Sequence, residues 1–277
     1  KLTILLKKFY FYLFTLIFNL YYKYRGKKMD LKNNDLYKRI IVFLLGFVGL
    51  QVFAVTLQLL NFFYYIFLTF DLNLFVNRVN FSLNSNVILN YTMYIIAFSV
   101  MLIIIGDNNI QEIINKFKDN KNVKEGFIFG VLVLCSSMFY NIIIQNIIPN
   151  ISENQNEDAV RSIITLNPFL STIAVAIVGP IVEEFTYRYG LFGALKKKSK
   201  KLAYFVTIIL FALIHFSFDN ATAQEWVIEL ANLPSYMIAA AILCYAYDRN
   251  DSLATSIIAH IFNNAYSVLM TLLIYSR

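Results

Sequence analysis

A chain of 277 residues that is 58% hydrophobic, 17% aromatic and only 15% charged carries more apolar surface than a water-soluble domain of that length can hide. Its net charge of +7 would suit a nucleic acid, but the lysines cluster between hydrophobic runs, where they mark membrane flanks. Nucleic acid is therefore excluded as a partner, the lipid bilayer takes its place, and nine glycines and four prolines are too few for the short alternating strands of a β-barrel. The expected fold is all-α: a polytopic transmembrane helical bundle.

At the N-terminus, "FYFYLFTLIFNLYY" (residues 9–22) is short for a span, and no small-residue cleavage site follows it as in a signal peptide. The first methionine is Met29, preceded by "RGKK", which back-translates into a purine-rich run resembling a bacterial ribosome-binding site. The expectation is that translation starts at Met29 and that residues 1–28 are a non-native upstream extension. The alternative is an interfacial helix, or an eighth span.

Hydrophobic runs of about 20 residues then predict seven spans, near 40–62, 87–106, 126–148, 168–194, 202–218, 229–247 and 252–275. Positive charges alternate between the connecting segments. Lys27, Lys28, Lys38 and Arg39 precede the first span, Lys116 to Lys124 follow the second, and Lys196 to Lys201 follow the fourth. The opposite side carries Arg78, Arg161 and Arg277 and an acidic loop with Glu153, Glu157 and Asp158. This pattern puts the N-terminal flank in the cytoplasm of a multi-pass membrane protein. Cys135 and Cys244 fall in apolar segments without metal-ligand spacing and read as buried, inert thiols.

Residues 29–165 supply transmembrane helices with few charges inside them, whereas 166–277 hold almost every intramembrane polar group and form the expected functional module. Ionisable groups inside a bilayer are costly, so a span that keeps them is usually using them. The fourth span contains "IVEEFTYRYG". Glu184 and Arg188 are four residues apart and share a helix face, while Glu183 is turned about 100° away and needs a partner from elsewhere. Pro180 cannot donate to Ala176 and predicts a kink just before the acid pair. The fifth span ends in "LFALIHFSF" with His215, and the seventh reads "SLATSIIAHIFNNAYSVL", with His260 and Asn264 on one face between Ser256 and Ser267.

Counting from the flanking charges at 1.5 Å per residue, Glu183 and His215 lie roughly 20 Å deep and His260 roughly 14 Å deep, so the three can share one layer. Singly, each has a structural explanation, as an ion pair or an interhelical hydrogen bond. Together they suit hydrolysis of an acyl bond such as a peptide. A carboxylate in an apolar site is a usable base, a histidine can share the proton, and a histidine with an amide can donate to an oxyanion. There is no GxSxG nucleophile and no HExxH zinc helix. Zinc held by Glu183, His215 and His260 stays open as an alternative.

"EEFTYR" fits EExxxR, "FALIH" fits FxxxH and "HIFNN" fits HxxxN, in order on successive late spans and using both histidines of the chain. Over about residues 166–270 this resembles the CPBP (Abi) family of intramembrane proteases, named for CAAX proteases and bacteriocin-processing enzymes. The resemblance implies a membrane-embedded, CAAX prenyl protease 2-like endopeptidase. Its catalytic residues would be Glu183 as general base, His215 as its helper, and His260 with Asn264 as the oxyanion site. Glu184 and Arg188 would support them. A metal-free mechanism is favoured, because Asn264 is a poor zinc ligand. Tyr189 stands where the family often has Gly, so local packing is expected to differ there. The Asn-, Lys- and Ile-rich composition suggests a bacterial cell membrane and a membrane-associated peptide or protein substrate. Maturation of a bacteriocin or other peptide, or self-immunity, would fit. The alternatives are a non-proteolytic membrane scaffold or immunity protein that binds a partner helix, and a proton-relay transporter.

Overall fold

The computed structural model describes residues 35–50, 83–149, 151–166, 168–220 and 222–275. The expectations for residues 1–28, and for the first span beyond residue 50, lie outside the described residues. Among the described residues there are helices, turns and no strand, as the composition predicts. In chain order they are α1 (Asp35–Leu44, continued by a wide turn Leu45–Gly49), α2 (Leu83–Ile105), α3 (Asp107–Lys118), α4 (Asn120–Ile147) and α5 (Gln155–Leu166). The composite α6 (Pro168–Lys196) follows, then α7 (Lys200–Leu213), α8 (Ala223–Asn250) and α9 (Leu253–Tyr275).

The chain is a multi-pass membrane protein, but the expected count of seven spans is not reached among the described residues. Four helices, α4, α6, α8 and α9, are long and apolar enough to cross a bilayer. A fifth crossing would need α2 and α3 together, and these are bent by 108°. The bend falls at Gly106, whose φ of +79° is open to glycine and strained for other residues. The run at 202–218 is also not a full span. α7 has 14 residues and stops at Leu213, after which the chain turns through His215. At 1.5 Å per residue that helix is only about 21 Å long.

Three packing arrangements position the late helices. First, α9 lies along α4. Gly126 and Gly130 form a small-xxx-small groove, in which added Cβ atoms would come within 2.7 Å of Ile258 and 2.9 Å of Phe262. Second, α1 lies on α6. A Cβ on Gly190 would sit 2.8 Å from the Phe43 nitrogen, and Tyr189 is buried under the Arg39 guanidinium at 4.4 Å. Arg39 also donates to the Tyr189 carbonyl at 2.9 Å and to the Tyr247 hydroxyl at 3.1 Å. Third, the lysine-rich end is stapled through Asp248, which meets Lys196 at 2.9 Å, Lys200 at 2.5 Å and the Tyr204 hydroxyl at 3.1 Å.

The cysteines divide. Cys244 is buried, whereas Cys135 is on an exposed face of α4, which corrects the expectation that both are buried. Within α6, wide π-type turns at Ala174–Val178 and Phe185–Phe192 flank an α-helical Gly179–Glu184. Pro180 has no N–H to give to Ala176, and the Gly179 N–H reaches back five residues to the Ala174 carbonyl. What precedes the acid pair is thus a widened turn at Ala174–Val178.

Filling the α4–α9 groove should separate the two helices. Gly130→Leu is expected to destabilise the protein by about 1–3 kcal/mol. The check is the thermal unfolding midpoint of the purified protein in detergent. A midpoint equal to wild type would contradict the packing described.

Candidate functional site

Glu184 and Arg188 are both fully buried. Their i,i+4 spacing brings Arg188 Nη1 to 2.8 Å from Glu184 Oε1. The same oxygen is 2.8 Å from His260 Nδ1 of α9. One carboxylate oxygen therefore receives a guanidinium and an imidazole at once. The face of Arg188 is closed by the Phe211 ring, 4.5 Å from its Cζ, a cation–π contact that meets the charge with an apolar residue.

Phe211 has a second task. α7 ends at Leu213, and the backbone N–H of His215 bonds to Ala212 at 3.1 Å, one residue short of the α-helical partner. The Phe211 carbonyl is then taken by His215 Nδ1, at 2.7 Å. A carbonyl can only accept, so the proton on Nδ1 is fixed and Nε2 keeps its lone pair when the ring is neutral. The same logic fixes Nδ1–H of His260 against Glu184. Both histidines of the chain are thus held through Nδ1, which leaves Nε2 as the free nitrogen of each.

Glu183 is turned away from the Glu184–Arg188 pair, as the helical spacing predicts. Its Oε2 is 3.9 Å from His260 Nε2, too far for a hydrogen bond, and has no partner among the described residues. Glu183, His215, His260 and Asn264 line one cavity of about 380 Å³. The Asn264 amide donates to the Val175 carbonyl at 3.1 Å, and its second N–H is left for another acceptor. All six sequence-singled residues are therefore in this cavity or its supporting ion pair. The pairing differs from the simplest expectation: Glu184 takes His260 as well as Arg188, and the imidazole nitrogen 3.9 Å from Glu183 Oε2 belongs to His260.

Other residues support the site without having been singled out in the sequence. Tyr236 stacks on His215, with centroids 4.6 Å apart and planes 17° apart. Asn154 donates to the His215 carbonyl at 3.1 Å. Buried Glu229 accepts from the backbone N–H of Gln155 at 2.9 Å and of Ser217 at 3.0 Å, tying the start of α5 to the turn after α7. A carboxylate at the start of a span with no nearby basic residue was the available signal for Glu229. Tyr236 left none, since an aromatic residue in an apolar run reads as packing. Glu157 of α5 also lines the cavity, and burial, then the neighbouring Glu153 carboxylate, push its carboxyl above the ordinary range.

No three His, Cys, Asp or Glu side chains among the described residues are grouped to hold a metal ion. Zinc on Glu183, His215 and His260 therefore does not fit this geometry.

Residues 165–266 match the family model described as Rce1-like, type II CAAX prenyl endopeptidase. That segment contains all six residues above and nearly coincides with the one on which the three motifs fall. Over 121 residues the chain is 29% identical to a Bacillus subtilis (strain 168) protein named "Putative membrane peptidase YdiL". The match covers 43% of this chain and 44% of that relative, so it spans less than half the length of either. No solved structure matches the chain.

The buried pair makes a definite stability prediction. Arg188→Met leaves Glu184 charged with His260 as its remaining partner and should cost about 3–5 kcal/mol. Adding Glu184→Gln should recover part of that loss, because the stranded charge is gone. Thermal unfolding of the single and double variants in one detergent checks this. Additive losses would contradict the pairing.

Proposed function

Taking residues 165–266 as a member of the CPBP family, on which the three motifs and the Rce1-like match agree, we propose that the chain is a membrane-embedded endopeptidase. It hydrolyses a peptide bond of a membrane-associated protein or peptide with water activated by Glu183. The observation that carries this reading is the carboxylate of Glu183, whose Oε2 has no hydrogen-bond partner among the described residues, on a cavity lined also by the chain's two histidines.

In this mechanism a water in the cavity gives a proton to Glu183, helped by the lone pair on His215 Nε2, and its oxygen attacks the scissile carbonyl carbon. The carbonyl oxygen becomes an oxyanion. The free N–H of Asn264 donates to it, and His260 Nε2 does so as an imidazolium, with its second proton facing the cavity, on a scaffold already organised before substrate arrives. The tetrahedral intermediate collapses with cleavage of the C–N bond, and the proton taken from water passes to the leaving amine. Glu184 and Arg188 do not exchange protons with substrate. They hold His260 with Nδ1–H inward and Nε2 toward the cavity.

The division into N-terminal helices (29–165) and a catalytic module (166–277) belongs to this proposal. So does residence in a bacterial cell membrane with the lysine-rich end in the cytoplasm. Maturation of a bacteriocin or other small membrane peptide, or self-immunity, suits a site that is lined largely by apolar residues.

Comparative membrane proteomics tests the reading. Cells carrying Glu183→Gln should accumulate an uncleaved membrane-associated peptide or protein that wild-type cells process, with cleavage reduced by about 10²-fold or more. Membrane levels of the variant should equal wild type. Identical peptide profiles in the two strains would rule against proteolysis and favour a non-proteolytic scaffold or immunity protein.

A further inference from the structure

We propose that Tyr236 of α8 is the positioning residue of His215, an inference that rests on the proposed role of His215 but is tested independently of it. The two histidines are held differently. His260 sits inside a 23-residue helix, which fixes its backbone. His215 lies beyond Leu213, the last residue of α7, in a turn that offers no helical restraint. Its ring must be held from outside.

A closed circuit of contacts does this. The Tyr236 ring lies nearly parallel on the imidazole, 4.6 Å away. The Tyr236 hydroxyl is shared between Asn154 Oδ1 and Glu157 Oε1, each at 3.2 Å, and accepts from Asn156 Nδ2 at 3.4 Å. Asn154 then returns to the turn through its Nδ2, which donates to the His215 carbonyl. Ring and backbone of His215 are thus referred to the same hydroxyl. Glu229, about two turns before Tyr236 on the same face of α8, holds the neighbouring Ser217 and Gln155 backbones, so the circuit has a fixed base. Stacking restricts tilt of the imidazole, and the Phe211 carbonyl restricts its rotation. Together they keep Nε2 aimed at the cavity that Glu183 also lines.

The chain has only two histidines, so ¹⁵N-histidine labelling of the full chain in detergent gives a spectrum of two side chains, assigned with His260→Gln. In the wild type, His215 should show one tautomer, with its proton on Nδ1. Tyr236→Phe keeps the ring but loses the hydroxyl anchor, and Tyr236→Leu loses both. The His215 signals should shift in the first and split into mixed tautomers in the second, with His260 unchanged in both. If Tyr236→Leu fails to accumulate, Tyr236→Phe decides. A His215 spectrum identical to wild type in Tyr236→Phe overturns the proposal, as does an equal change at both histidines, which a merely structural role would produce. The spectrum is read without substrate, so it stands whether or not a peptide is cleaved. On a substrate identified by proteomics, Tyr236→Phe should lower kcat about tenfold with KM within about twofold.

Discussion

Glu184 has no route to water, so its charge must be met inside the bundle, and the geometry of the site follows from how that is done. A buried carboxylate that meets only one cation still leaves lone pairs unsatisfied. Here a single oxygen takes Arg188 from its own helix and His260 from α9. The first contact is local and costs little chain entropy. The second fixes the rotation of α9 relative to α6. Once His260 is tied by Nδ1, its Nε2 can point only toward Glu183. The ion pair is thus less a source of stability than a device that sets the register between two helices.

The surrounding packing serves that register. α9 can approach because Gly126 and Gly130 leave a groove on α4 for Ile258 and Phe262. α6 is braced from the other side by α1, where Gly190 admits Phe43 and Arg39 covers Tyr189. Glu183 lies in the α-helical Gly179–Glu184 and lines the cavity, while Thr186 and Arg188 of the wide turn that follows are buried. Phe211 joins the two halves of the site: its ring covers Arg188 and its carbonyl holds His215. An aromatic residue one turn before the histidine in FxxxH therefore has a physical reason here.

Much of this could be read from the residues, for reasons that depend on range. The Glu184–Arg188 pair was legible because i,i+4 spacing lies within one helix, and the separation of Glu183 from it follows from 100° per residue. That Glu183, His215 and His260 would come together was legible from the flanking charges Lys196, Lys201 and Asp251, and the three do line one cavity. What the spacing left undetermined lies between helices. The His260–Glu184 bond depends on the azimuth of α9, which is set by two glycines more than a hundred residues earlier. The end of α7 at Leu213 was hidden because "HFSF" remains apolar, so hydropathy runs on where the helix stops. The bend at Gly106 depends on a single positive φ. Tyr236 and Glu229 act through turns whose course hydropathy does not encode.

Two adjacent glutamates thus have opposite relations to the fold. Glu184 is fully buried with one oxygen held by Arg188 and His260, and Glu183 is 22% exposed beside the cavity, its Oε2 3.9 Å from His260. The most direct measurement is the thermal unfolding midpoint of Glu183→Gln and Glu184→Gln in the same detergent, beside wild type. The account predicts that Glu184→Gln unfolds well below wild type, because Arg188 is stranded in the interior, and that Glu183→Gln unfolds at or above it. Equal losses in the two variants, or a larger loss in Glu183→Gln, would contradict it.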